Sequence, residues 1–185
     1  MPAKTTLKNA FPIIILTVVV AICVTLLTFT DSITRGKIKT QEEQKIENML
    51  SAIFPDMSRY DFANDIYTIY SDGAKVGYAF LAVGKGYGGD INILVGLEDE
   101  TTVKGIKIIS QTETPGLGSR IAESSFTDRF IGLNVNDVAL RQKGGQIDAI
   151  TGSTISSKAV IDAVRTTAME KVKLLKDSEE KSNDG

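Results

Sequence analysis

The chain has 185 residues, 42% of them hydrophobic, and a formal net charge of −2. That length holds one domain plus a short extra element, and no basic stripe interleaved with aromatics marks a nucleic-acid surface. Histidine is absent and Cys23 is the only cysteine. This excludes imidazole catalysis, imidazole metal ligation, an internal disulfide and any cysteine-ligated metal centre built from this chain alone.

From Ala10 to Thr30 no residue is charged, and Val, Ile and Leu dominate. About 21 residues of helix span roughly 30 Å, the thickness of a bilayer's hydrocarbon core. Pro12 falls in the first turn, where a missing N–H costs little. A cleaved signal peptide competes with this reading, but the run is longer than a usual signal core and no small-x-small cleavage site follows it. Ile22, bulky just before Cys23, argues against lipoprotein processing. The sequence therefore predicts a short segment over 1–9 and a retained single-span helix over 10–30. Lys4 and Lys8 precede the span, and Arg35, Lys37 and Lys39 follow it. By that count alone the C-terminal domain would be cytoplasmic.

Residues 31–56 read as a membrane-proximal helix. Ile46, Met49, Leu50 and Ile53 recur at helical spacing, Glu42, Glu43, Lys45 and Glu47 cover the other faces, and Pro55 ends it. A domain over 57–176 follows. Ile66 to Tyr70 and Val76 to Val83 are strand-like, joined through Asp72-Gly73, a tight-turn signal. Ile91 to Leu97 and Val103 to Ile109 add two more strands across the polar turn Glu98 to Thr102. Ile121 to Phe130 is predicted as a short helix. After Thr154, apolar positions from Ala159 through Leu175 keep helical spacing and would cover a sheet face. Residues 177–185 are charged and small, and predict a disordered tail. The whole reads as α+β, an antiparallel sheet flanked by helices behind one N-terminal transmembrane helix.

Three stretches stand out for chemistry. Gly84-Lys85-Gly86-Tyr87-Gly88-Gly89 is a glycine-rich connection that precedes a strand, so it is neither a Walker loop nor a dinucleotide fingerprint. Glu113-Thr114-Pro115-Gly116-Leu117-Gly118 contains a Pro-Gly pair that favours a type II turn. Asp148 to Ser157 places five hydroxyls, Thr151, Ser153, Thr154, Ser156 and Ser157, around Gly152 at a helix start. One cap needs one oxygen, and a helix start also suits an anion.

These stretches, in this order after one N-terminal span, resemble the FMN-binding domain family. Asp-x-x-Thr-Gly-Ser-Thr at 148–154 is similar to that family's flavinylation motif, with Ser153 where the family usually has Ala. The family includes the G subunit of Rnf-type electron-transport complexes and the C subunit of the sodium-translocating NADH:quinone reductase; the short chain favours the former. The resemblance implies one FMN per chain, held by a phosphoester to Thr154, with Asp148, Thr151, Gly152 and Ser153 in the same motif. It implies that Tyr87, Gly88 and Gly89 line the pocket, and that Glu113, Thr114, Gly116, Leu117 and Gly118 form the ring's surroundings. No catalytic or metal-binding residue is expected.

With no histidine to activate a threonine, attachment would need a separate flavin transferase using FAD, with Mg²⁺ serving that enzyme. The expected partners are that transferase, other membrane and redox subunits, and membrane lipid; nucleic acid is not one. The resemblance further implies a single-pass protein of the cell (inner) membrane with its flavin domain on the extracytoplasmic side, against the charge count. The implied complex couples ferredoxin and NAD⁺ to Na⁺ or H⁺ movement. A quinone-reductase subunit, another anchored FMN reductase, and a cofactor-free extracytoplasmic binding or assembly module are the rival readings.

Overall fold

The computed structural model describes residues 3–183, with side chains over 13–29, 41 and 43–176. The chain divides into two compact units, Met1–Lys45 and Ile46–Gly185.

Helix α1 runs from Ala3 to Ile53. The predicted 1–9 segment, from its third residue on, the 10–30 span and the membrane-proximal helix therefore lie on one element without a break. Among the described residues no helix is long and apolar enough to cross a membrane. Within the charge-free run the described side chains are 13–29, all exposed. Thr17 and Thr25 there donate their hydroxyls to the carbonyls of Ile13 and Ala21 at 2.9 and 2.7 Å, so these hydroxyls need no outside partner. The helix stops at Ile53, short of the predicted Asp56. Phe54 precedes Pro55 and is steered out of helical geometry.

In the second unit, five described strands form one antiparallel sheet in sequential order: β1 (Arg59–Ala63), β2 (Ile66–Ser71), β3 (Ala74–Lys85), β4 (Asp90–Leu97) and β5 (Val103–Ser110). The four predicted strands are β2 to β5. β1 is additional, and four of its five residues are exposed, so no apolar alternation marks it. It joins β2 through Asn64-Asp65, both at positive φ (53° and 59°), a turn whose twist matches paired strands. Asp72-Gly73 makes the same kind of turn before β3, with φ 49° and 84°, as its sequence predicts.

The sheet is buried on both faces. On one, Val160, Ile161, Val164 and Ala168 of α3 (Thr154–Asn183) pack with Phe80, Ile91, Ile93 and Val95. On the other, Leu50, Ile53 and Phe54 pack on Ile69, Ala79 and Leu94. Burial on both sides explains why Ile91 to Leu97 is so nearly continuous in apolar residues.

The segment between β5 and α3 corrects the predicted helix over Ile121–Phe130. It is broken into a 3-10 turn (Gly118–Ala122), the one-turn helix α2 (Ser124–Thr127) and a second 3-10 turn (Asp128–Phe130). Glu123 between them is extended, with φ −75° and ψ 147°. The reason is the core. Ile121, Phe126 and Phe130 are all fully buried, and a step from 121 to 126 does not return to one face of a regular helix. The break lets all three point inward. At the other end, α3 continues to Asn183, through most of the tail expected to be disordered. Glu179, Glu180 and Lys181 are good helix formers, and extending an existing helix needs no new nucleus.

Candidate functional site

The three chemical stretches converge. Gly86 to Gly89 is the loop of the β3–β4 hairpin, closed by the Gly86 N–H donating to Gly89 O at 2.9 Å. Tyr87 at its tip is 74% exposed. Thr114-Pro115-Gly116-Leu117 is a tight turn in which the Leu117 N–H reaches Thr114 O at 3.2 Å. Gly116 lies at φ +75°, the third position of the predicted type II turn, where only glycine is unstrained. Ile150-Thr151-Gly152-Ser153 is a second such turn. The Ser153 N–H reaches Ile150 O at 2.9 Å and Gly152 lies at φ +81°. Helix α3 starts at Thr154.

Between these turns lies an open cleft of ≈ 410 Å³, within the usual range for a small-molecule site, ~300–1,000 Å³. Tyr87 lines it from the first stretch. Glu113, Thr114, Leu117 and Gly118 line it from the second, and Gly152, Ser153, Thr154, Ile155 and Ser156 from the third. Its apolar rim is Tyr87, Leu117 and Ile155, all exposed.

Glu113 ties the stretches together. It is 5% exposed. Its Oε1 accepts the Gly88 N–H at 2.9 Å and its Oε2 accepts the Ser156 hydroxyl at 2.6 Å. The glycines around it are there for room. A Cβ on Gly86 would lie 2.1 Å from Oε1, and one on Gly118 would lie 2.7 Å from Oε2. Glycines that suggest an approach to a flat ring thus also house a buried carboxylate.

The five hydroxyls of the third stretch sort by what they do. The Ser157 hydroxyl donates to Ser153 O at 2.9 Å and accepts the Ile150 N–H at 3.0 Å. Ser156 is committed to Glu113. Ser153 is buried and its Oγ has no partner. Thr151 and Thr154 are exposed, and of these two Thr154 lines the cleft. The first described N–H of α3 to find a carbonyl is that of Ser157, on Ser153 O at 3.0 Å. The N–H groups of Thr154, Ile155 and Ser156 therefore point out of the helix start as unmatched donors, a setting that favours an anion.

Of the other residues singled out in the sequence, Gly88 supplies the backbone donor to Glu113, while Gly89, Gly116 and Thr151 shape turns outside the cleft wall. Asp148 is exposed and also outside it. Its Oδ1 accepts from Arg141 Nε at 2.8 Å, and its carbonyl accepts from Arg129 at 2.7 Å. The Arg141 guanidinium holds the Asp148 carboxyl below the usual aspartate range. Ile155 and Ser156 also line the cleft, which the sequence pattern does not indicate. Only the fold brings Ser156 to Glu113, forty-three positions away in the chain. Among the described residues, no cluster of three or more acidic or cysteine side chains could hold a metal ion.

The FMN-binding domain family matches residues 86–168. The G subunit of the ion-translocating oxidoreductase complex of Methanosarcina acetivorans is 32% identical over 168 residues, covering 83% of this chain and 89% of that protein. Its namesake from Vibrio vulnificus is 30% identical over 179 residues, 82% of this chain and 85% of that one. The crystal structure of the C subunit of the Na⁺-translocating NADH-quinone reductase from Parabacteroides distasonis overlaps with a TM-score of 0.49 and 26% identity, over 58% of this chain and 61% of that one.

Proposed function

The chain belongs to the family of G subunits of ion-translocating oxidoreductase complexes, and from that premise we propose that it is a membrane-anchored electron-transfer subunit carrying one FMN esterified to Thr154. FMN, when bound, supplies reversible electron transfer. This chain's residues bind and orient it. The Thr154 Oγ holds the phosphate as an ester at the start of α3, where the free N–H groups of the first turn face its negative charge. Leu117, Ile155 and Tyr87 offer apolar surface to the ring and limit its contact with water. Glu113 holds the hairpin loop, the Pro115-Gly116 turn and α3 in one arrangement.

The observation that carries this reading is the sorting of hydroxyls. Of the five in the motif, Thr154 alone combines exposure with a position in the cleft wall. A separate transferase needs an accessible alcohol, and the chain has no histidine to activate one itself. We assign Asp148 and Thr151 no contact with the flavin.

The anchor is the charge-free run from Ala10 to Thr30, single-pass in the cell membrane. The flavin domain lies on the extracytoplasmic side, where a covalent bond keeps a cofactor that could not be replaced. The partners are the other membrane and redox subunits of a complex linking ferredoxin and NAD⁺ to Na⁺ or H⁺ movement.

The test is the intact mass of the full chain co-expressed with a flavin transferase. It exceeds the sequence mass by one FMN less water, and the band fluoresces after denaturing electrophoresis. Thr154→Val abolishes both signals and Thr151→Val keeps both. A bare mass in the wild type returns the chain to a cofactor-free anchored module, and retained flavin in Thr154→Val moves the acceptor elsewhere.

A further inference from the structure

Ser153 stands immediately before α3, where a hydroxyl ordinarily accepts a hydrogen bond from an N–H of the helix's first turn. Here it does not. Its Oγ is the one buried side-chain polar atom without a partner among the described residues, in a residue 5% exposed that lines the cleft. The backbone of Ser153 is fully used, by Ile150 O on one side and by the N–H and hydroxyl of Ser157 on the other. The turn therefore does not depend on the hydroxyl, and an alanine would fill the place without stranding a polar group. The neighbouring N–H groups of Thr154, Ile155 and Ser156 are likewise donors without acceptors. What this corner of the fold lacks is acceptors, and a phosphate carries several.

We infer that the Ser153 hydroxyl donates to the phosphate esterified at Thr154 and orients it at the end of the cleft. This rests on the proposed attachment at Thr154 and deepens it, making Ser153 a positioning residue. Turning the hydroxyl toward the phosphate breaks no hydrogen bond, because Oγ makes none. A trapped water could also satisfy the hydroxyl, but it would do so equally in loaded and unloaded chains.

The experiment compares wild type, Ser153→Ala and Ser153→Thr in the full chain, each expressed with and without a flavin transferase. Intact mass comes first. A wild-type chain of bare mass overturns the attachment, and this contact with it. With loaded protein, the ³¹P resonance and the rise in thermal midpoint on loading are read for all three. The contact requires that Ser153→Ala still gains the flavin mass, while its unloaded midpoint is unchanged or higher. It also requires a smaller rise on loading and a ³¹P resonance moved toward its position in the unfolded loaded chain. Ser153→Thr, which keeps a hydroxyl, restores the wild-type resonance. A Ser153→Ala chain with the wild-type resonance and the full rise on loading overturns the inference and leaves the ester at Thr154 standing.

Discussion

Replacing Glu113 by alanine removes the acceptor for two donors at once, the buried Ser156 hydroxyl and the N–H of the exposed Gly88. The Gly88 N–H and the Ser156 hydroxyl, now 2.9 and 2.6 Å from the carboxylate, are left without partners, and a small void opens between Gly86 and Gly118. A stranded buried donor costs about 1–3 kcal/mol; the Ser156 hydroxyl bears that in full, while water can reach the Gly88 N–H of an exposed residue and the loss there is smaller. Because Glu113 and Ser156 are both buried, solvent does not screen the bond between them. Ser156→Ala removes one donor and costs about 1.5–3 kcal/mol, the usual worth of a hydrogen bond to a charged group. Once Glu113 is alanine, Ser156→Ala has little left to remove. The double variant should therefore fall short of the sum of the singles by about 1.5–3 kcal/mol.

Glu113→Gln is milder, about 1 kcal/mol. Its carbonyl can keep the Gly88 N–H while its amide donates to a reoriented Ser156 hydroxyl. The chain has no tryptophan, so the assay is urea unfolding of the full chain in detergent followed by circular dichroism. Additivity of the two single variants within about 0.5 kcal/mol would refute the idea that this carboxylate knots the three stretches together.

Further outcomes follow from other contacts. A Cβ on Gly84 would lie 2.6 Å from the carbonyl oxygen of Ala159, and a backbone atom cannot swing away, so Gly84→Ala pushes α3 off β3. It should lower unfolding stability by about 1–3 kcal/mol; an unchanged urea midpoint would contradict that packing. Gly152→Ala forces a side chain into the left-handed region at φ +81°, costing about 1–2 kcal/mol. It should also reduce flavin loading as read by intact mass. The Asp148 carboxyl is lowered in the folded chain by Arg141, so its stabilisation is present above its unfolded value of 3.8 and is lost as pH falls through the lower folded value. The pair is exposed at the surface, so Asp148→Asn should leave the thermal midpoint at neutral pH nearly unchanged. A large drop there would mean that Asp148 does more than pin its loop to Arg141.

Reading order from the chain worked where the cause was local. Asp72-Gly73 and Pro115-Gly116 make the turns their dipeptides demand, because the preference resides in the backbone of the turn itself. The strands β2 to β5 and the helix after Thr154 follow from the spacing of apolar residues, since each has a face to bury. β1 escaped notice for the converse reason. It lies at the sheet edge with four of five residues exposed, and its Tyr60 and Phe62 meet Tyr67 of the neighbouring strand, so it has no buried face to mark it. The break at Glu123 was equally hidden, because one core collecting Ile121, Phe126 and Phe130 overrides regular helix.

By itself, then, the amino-acid sequence determined the order of β2 to β5 and the last helix, the turn chemistry and the hydroxyl-rich helix start, all of them short-range consequences of residue type. Only the tertiary structure decided which of five similar hydroxyls is open, which are spent on Glu113 and the backbone, and which is buried with nothing to bond. That choice depends on contacts such as Glu113 with Ser156, formed when the sheet, the loop and α3 close on one another. No local pattern encodes a distance between residues so far apart in the chain.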